Sequence, residues 1–392
     1  MQLRGKTAFI PSRMADSTFP RQKQILNSSF HLLPKPTMNN PTSRRSFLKS
    51  SGASAAAVAA SNLFFANSAK AQSKAVTLGS GEHTYEWIPF GTLPEGHNYG
   101  SATHGVAFDS TGLLYVTHYG TPGSIVVFDP EGKFVRHLGE QHMNGGHGVG
   151  HGIDIRAEDG EDFLYLSPSE SNQAFTKMSL KGEIVWQKGL DDLRKDSGHY
   201  EGKAAYRPTN ISFSPDGNCY LGDGYGSGLI HRYTKDGKHI NSFGGNGKED
   251  GKFNTPHGQW LDNRDGTPKI AICDRANKRL QWFDLEGNFL KKLDGFLFPA
   301  DIDILGDTML VPDLHARVTL LDKDNKVIVH LGDDEAWRAQ VTGGTPNVRG
   351  KRDLWTPGKF VHPHDAAFDK DGNIFVAEWV VGGRLTKLRK VG

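Results

Sequence analysis

The sequence predicts an all-β fold, a propeller of six blades, on three observations. A unit of one kind is used six times, short apolar strands alternate with Gly-containing turns, and a strand ahead of the first repeat is available to complete the last. The repeats open at residues 103–108, 150–155, 208–213, 256–261, 299–304 and 363–368. Their anchors Phe108, Ile155, Phe213, Leu261, Ile304 and Phe368 are separated by 47, 58, 48, 43 and 64 residues. Each unit continues through an Asp-Gly-type turn into a second apolar strand, then a third that ends before Asp-x-x-Gly. Short strands at this period read as four-stranded blades around a channel. The surplus length falls in 188–206 and 333–359, polar and strand-poor segments expected to be surface loops between repeats. The last repeat stops after its third strand, at 385–388, and residues 84–90 are expected to supply its outer strand. A seventh blade would need a repeat that the sequence does not contain.

Composition agrees with a turn-rich β-protein: Gly supplies 47 of 392 residues, many of them in Asp-Gly or Asn-Gly pairs. The N-terminus carries a different signal. Ser43-Arg44-Arg45-Ser46-Phe47-Leu48-Lys49 is a twin-arginine motif, followed by a weakly apolar stretch over 50–66 and an Ala69-Lys70-Ala71 cleavage site. That stretch, broken by Ser and Asn, makes a poor membrane span. Residues 1–71 are therefore expected to be a leader and 72–392 one propeller domain. Met38, just before an ordinary short n-region, reads as the true start, with a longer leader as the alternative.

The leader holds ten of the 46 basic residues and one of the 44 acidic ones, which leaves 36 and 43 and a mature charge near −7. A mildly acidic chain has no electrostatic footprint for nucleic acid. The expected product is a periplasmic or secreted monomer with no transmembrane anchor. Cys219 and Cys273 fall at different strand positions of neighbouring repeats and are expected to be buried free thiols.

Aligning the repeats brings two registers together. At the first stand His104, His151, Thr209, His257, Ala300 and His364. The innermost strand of each blade lines the channel, so four imidazoles at one register converge on the axis and can hold one metal ion. The alternative is that His merely suits a tight strand start. The second register closes the next strand: His118-Tyr119, Pro168-Ser169, Asp223-Gly224-Tyr225, Asp274-Arg275, Asp313-Leu314 and Glu378-Trp379. Its acids are expected to cap turns. Tyr225 and Arg275 flank the blade of His257, and suit a proton-transfer group and a carboxylate clamp; a packed Tyr and a surface ion pair are the bland counterparts. The Gly/His run 141–150 is either an edge of the pocket or a connector. Gly222–Gly228 precedes no helix, which disfavours a phosphate loop.

The repeats resemble those of the NHL type. The segments Asp223-Gly224-Tyr225, Pro256-His257-Gly258, Cys273-Asp274-Arg275-Ala276-Asn277 and Pro363-His364-Asp365, in this order, resemble peptidyl-α-hydroxyglycine α-amidating lyase. The resemblance spans all six repeats loosely and the third and fourth closely. It implies Zn²⁺ held by His151, His257 and His364, Tyr225 as base, Arg275 assisting, and a Ca²⁺ in the channel. It also implies a small-molecule or peptide C-terminal substrate, cleaved to an amide and glyoxylate. Two positions depart from the family pattern: His118-Tyr119-Gly120 stands where the family has His-Arg-Gly, and His104 is an extra histidine at the ligand register. Two other readings accompany the lyase: a non-catalytic extracytoplasmic scaffold, and a Ca²⁺-dependent lactonase, against which the His-rich register argues.

Overall fold

Runs rich in Val, Ile, Leu, Tyr and Phe form the strands, and Asp-initiated turns end them. At Asp129 the carboxylate accepts the backbone N–H groups of Glu131 and Lys133, while Gly132 takes a positive φ of 83° that a side chain would strain. The same carboxylate-to-backbone turn recurs at Asp284, Asp322 and Asp369, which is why one sequence pattern yields one hairpin in blade after blade. The computed structural model describes residues 75–392 except 169–173 and 203–205. The leader, its twin-arginine motif, Met38 and Ser169 lie outside the described residues.

The strands form six antiparallel blades. Blade 1 runs from Thr103–Phe108 to Phe134–Leu138, blade 2 from Gly152–Glu158 to Ile184–Lys188, and blade 3 from Ile211–Phe213 to His239–Gly244. Blade 4 runs from Pro256–Asp262 to Phe289–Asp294 and blade 5 from Asp303–Leu305 to Val327–Leu331. The sixth sheet holds Pro363–Phe368, Ile374–Glu378 and Arg384–Lys390, then His83–Phe90 and Thr77–Ser80. Trp87 pairs with Leu388 and Phe90 with Leu385 in that sheet.

The apolar core is a series of layers between neighbouring blades. Val106, Val116 and Phe128 of blade 1 pack on Phe375, Ala377 and Leu385 of the sixth sheet, and Tyr85, Leu310, Leu320, Phe360 and Leu388 form the next layer. Cys219 and Cys273 are buried free thiols, and burial pushes the Cys219 thiol up to about 12, so neither is a reactive thiolate.

The two insertions differ from the loops expected of them, because each contains a short helix. Leu190–Ser197 begins where the Asp192 carboxylate accepts the Gly189 N–H, and Leu193 enters the core. Glu335–Gly343 is capped by Asp334, which accepts the Trp337 N–H. Trp337 and Val341 then pack on Val348, Val361 and Val380. Sparse apolar residues at helical spacing were enough, once the blade edges gave them a surface to cover.

Candidate metal centre

The first-register residues stand at or just before the start of each inner strand, and around three of the histidines the ladder is irregular. The ladder slips between Thr103 and Val106, Pro256 and Gln259, and Pro363 and Asp365, around His104, His257 and His364. Such a bulge re-aims a side chain, in this case toward the axis. The Gly after the histidine is required by the next blade. A Cβ at Gly258 would stand 2.2 Å from Asp301 Cα, and one at Gly152 would stand 2.3 Å from the Thr209 carbonyl oxygen. At His104, His151 and His257, His-Gly thus gives a side chain facing the channel with a neighbouring backbone pressed behind it, whereas His364 is followed by Asp365.

That closeness orients the rings. His151 Nδ1 donates to the Thr209 carbonyl at 2.8 Å, and His257 Nδ1 donates to the Ala300 carbonyl at 2.6 Å. His364 makes the corresponding bond to the His104 backbone. Each donor therefore uses the same-register carbonyl of the following blade: blades 2, 4 and 6 carry the rings, and blades 3, 5 and 1 hold them. Fixing Nδ1–H leaves Nε2 as the lone-pair nitrogen, the arrangement that orients metal-ligating imidazoles elsewhere. The rings lie close, with centroids 5.1 Å apart for His151–His257, 4.8 Å for His151–His364 and 4.7 Å for His257–His364. Burial first, and neighbouring imidazoles and arginines second, hold all of them neutral; His151 is pulled down to about 3, by burial and then by Arg275 and Arg207.

His104 stands beside this set, 4.6 Å from His364 and 4.8 Å from His151 between ring centroids. Nitrogens of His104, His151 and His364 all fall within 4.8 Å of one another, the grouping among the described residues that can hold a metal ion. His257 is outside that grouping, and its Nε2 is 2.9 Å from Tyr225 Oη.

The structure also brings Tyr225 and Arg275 to the histidines. Tyr225 Oη lies 3.3 Å from His151 Nε2 and accepts from Arg275 Nη1 at 3.2 Å. The Arg275 guanidinium covers the Tyr225 and Phe298 rings at 5.1 and 4.9 Å. It is buried, its Nε has no partner, and it makes no ion pair among the described residues. The surface ion pair weighed for it from the sequence is replaced by a buried cation facing the histidines. The second-register acids are structural. Asp223 accepts from Arg207 N and Ser227 N, Asp274 from Asn254 N, Asp313 from Phe298 N and His315 N, and Glu378 from Val361 N. They tie the loop entering each inner strand, as well as the turn leaving the second strand. The run 141–150 joins blades 1 and 2 as a small hairpin fixed to the blade 1 turns through Gly148 N to Gly120 O.

Sequence reasoning passed over a third set of residues. Asp154, Asp301, Asp303 and Asp365, with Asn210, line a cavity of about 160 Å³ in the channel. Asn210 Nδ2 donates to Asp301 at 2.5 Å, and Asp365 accepts the Val106 N–H at 2.9 Å. Burial pushes Asp303 up to about 6 and Asp365 up to about 7. Their signal was acid one or three residues after the first register, on three different blades.

Comparisons with known proteins agree with this picture at the level of the fold. Residues 41–61 match the family model for the twin-arginine translocation pathway signal sequence. The chain is 29% identical over 199 residues to mouse (Mus musculus) NHL repeat-containing protein 3, a match that covers 47% of this chain and 52% of that protein. The chain thus spans about half the length of this curated relative. Among solved structures, a gluconolactonase from Xanthomonas campestris superposes with a TM-score of 0.53 at 12% identity, covering 81% of this chain and 95% of that one. Catalytically inactive virginiamycin B lyase from Staphylococcus aureus, solved with quinupristin, gives 0.50 at 12% identity, covering 78% and 100%. At such identity the likeness is one of fold. Over 199 residues the sequence is similar to that of an NHL repeat-containing protein, and the six blades make the chain a β-propeller. Its twin-arginine signal makes it a periplasmic or secreted protein, and no helix among the described residues is long and apolar enough to cross a membrane.

Proposed function

We propose that this propeller is a metal-dependent lyase of the amidating-lyase kind, which cleaves the C–N bond of an α-hydroxyglycine-like substrate. The observation that carries the reading is the set of carbonyl-oriented imidazoles His151, His257 and His364 beside Tyr225 and Arg275. Neutral imidazoles suit Zn²⁺, which supplies Lewis-acid polarisation of a substrate oxygen when bound. Tyr225 Oη takes the proton of the α-hydroxyl. The electron pair left behind forms the C=O of glyoxylate, the C–N bond breaks, and the departing amide nitrogen takes the proton that Tyr225 received. Arg275, buried without a carboxylate, holds the negative charge of the substrate and steadies the phenolic oxygen through its N–H.

A second ion, Ca²⁺, belongs to this reading at the acidic cavity. Oxygen donors suit it, and a cation there offsets the crowding of Asp154, Asp301, Asp303 and Asp365. Thermal unfolding with Ca²⁺ and with a chelator tests this point. Saturation at a hundred times Kd adds about 2.7 kcal/mol of stability, whereas identical melting under both conditions removes Ca²⁺ from the reading.

For the activity itself, the test is metal analysis of the purified mature protein, followed by glyoxylate release from a short peptide ending in α-hydroxyglycine. Tyr225→Phe is expected to lower turnover by about 10²–10⁴ with metal content unchanged. Protein free of zinc and of every other transition metal overturns the metal-dependent reading. A metal-loaded protein inert toward this substrate overturns the substrate class alone.

A further inference from the structure

We propose that His104 is a fourth imidazole ligand of this centre, so that its ion sits among four imidazole nitrogens; the inference rests on the metal reading above. Among the described residues, both ring nitrogens of His104 lack a hydrogen-bond partner, although the residue is 3% exposed. A buried polar nitrogen left unmade costs about 1–3 kcal/mol, and a ring placed merely for packing would satisfy its N–H, as the other three do through backbone carbonyls. The surroundings hold His104 inward. Its bulged backbone is fixed by Gly105 N donating to Thr117 Oγ1 at 2.7 Å, and Tyr119 backs the ring edge-on at 4.5 Å between centroids. The two departures from the resembled pattern, His104 and Tyr119, are therefore in contact and form one rearrangement of the site.

The arrangement also distinguishes the ligands. His104, His151 and His364 present nitrogens within 4.8 Å of one another, while His257 lies outside that grouping and has Nε2 2.9 Å from Tyr225 Oη, nearer than the 3.3 Å of His151 Nε2. Four imidazoles close a tetrahedral shell. His257, outside the tighter grouping, is then the ligand to yield a position to substrate, its Nε2 keeping the Tyr225 hydroxyl as partner.

The experiment compares wild-type mature protein with His104→Ala, His104→Leu and His257→Ala, all loaded with Zn²⁺. X-ray absorption counts the imidazoles, and competition with a chelator gives the affinity. Wild type is expected to show four imidazoles. Both His104 variants should show three and bind Zn²⁺ at least about a hundredfold more weakly, beyond the tenfold to hundredfold typical of losing an outer-shell partner. His257→Ala should lose less affinity than either. The leucine variant keeps the site filled if alanine fails to fold. Three imidazoles in wild type, with unchanged affinity in a folded His104 variant, overturn the proposal while leaving a three-histidine centre standing. Wild type that takes up no metal overturns the metal reading itself.

Discussion

His231 lies deep in blade 3, with Nε2 2.5 Å from Tyr200 Oη and Nδ1 2.8 Å from Ser242 Oγ. Tyr200 in turn donates its hydroxyl hydrogen to Asp223 at 2.8 Å, so the ring sits inside a completed network. Burial, with His239 and His199 adding to it, pulls this imidazole down to about 3. A histidine with a depressed folded pKa takes its proton first in the unfolded chain. Its contribution is whole above about pH 6.5 and is lost as pH falls toward the folded value. At pH 5 the loss is about 2 kcal/mol for this one group. Denaturant unfolding at pH 7 and pH 5 should therefore show wild type losing about 2 kcal/mol more than His231→Gln; equal losses would place the acid sensitivity elsewhere. No catalytic role is needed for such a histidine, and the contrast with His104 is instructive: one ring has both nitrogens answered, the other has neither.

The inner strands show what the sequence could and could not reveal. Their start was legible because a short apolar strand ending in an aliphatic or aromatic anchor recurs, and counting back from that anchor gathered His104, His151, His257 and His364 at one register. The carbonyls that orient the rings were not legible, since Thr209, Ala300 and the His104 backbone act through main-chain atoms that no side-chain pattern marks. The acidic cavity was missed for another reason: Asp301 and Asp365 sit one residue after the register, Asp154 and Asp303 three, so no single alignment column collects them. The inserted helices lacked length rather than signal. Glu335–Gly343 has nine residues, below what forms alone in water, and depends on packing and on its cap. Asp334 caps Trp337 N and also pairs with Lys359 at 2.8 Å. Asp334→Ala is expected to cost about 1 kcal/mol in urea unfolding, while Asp334→Asn, which keeps the cap and drops the charge, should recover most of it.

Across the molecule, blades 2, 4 and 6 carry the oriented histidines and the intervening blades carry the carbonyls, so the centre depends on every blade holding its place around the axis. The sixth sheet is where that dependence is most exposed, because strands from both ends of the described chain share it. Tyr85 is the side chain that commits the early segment: it is 1% exposed and packs in one layer with Leu310, Val318 and Leu331 of blade 5 and Leu388 of the last strand. Tyr85→Ala removes a ring from a layer that has no other means of filling the space, at an expected cost of about 3 kcal/mol or more. Because Tyr85 lies on an outer strand far along the sheet from the histidines, a protein that unfolds blade by blade would lose only local protection. A propeller whose six blades support one another instead loses its metal centre together with its edge. Urea unfolding of Tyr85→Ala, followed in parallel by tryptophan fluorescence and by release of bound metal, should give coincident transitions at a lower midpoint than wild type. Metal retained after the fluorescence transition is complete would show that the inner strands hold the histidines together without the ring of blades behind them.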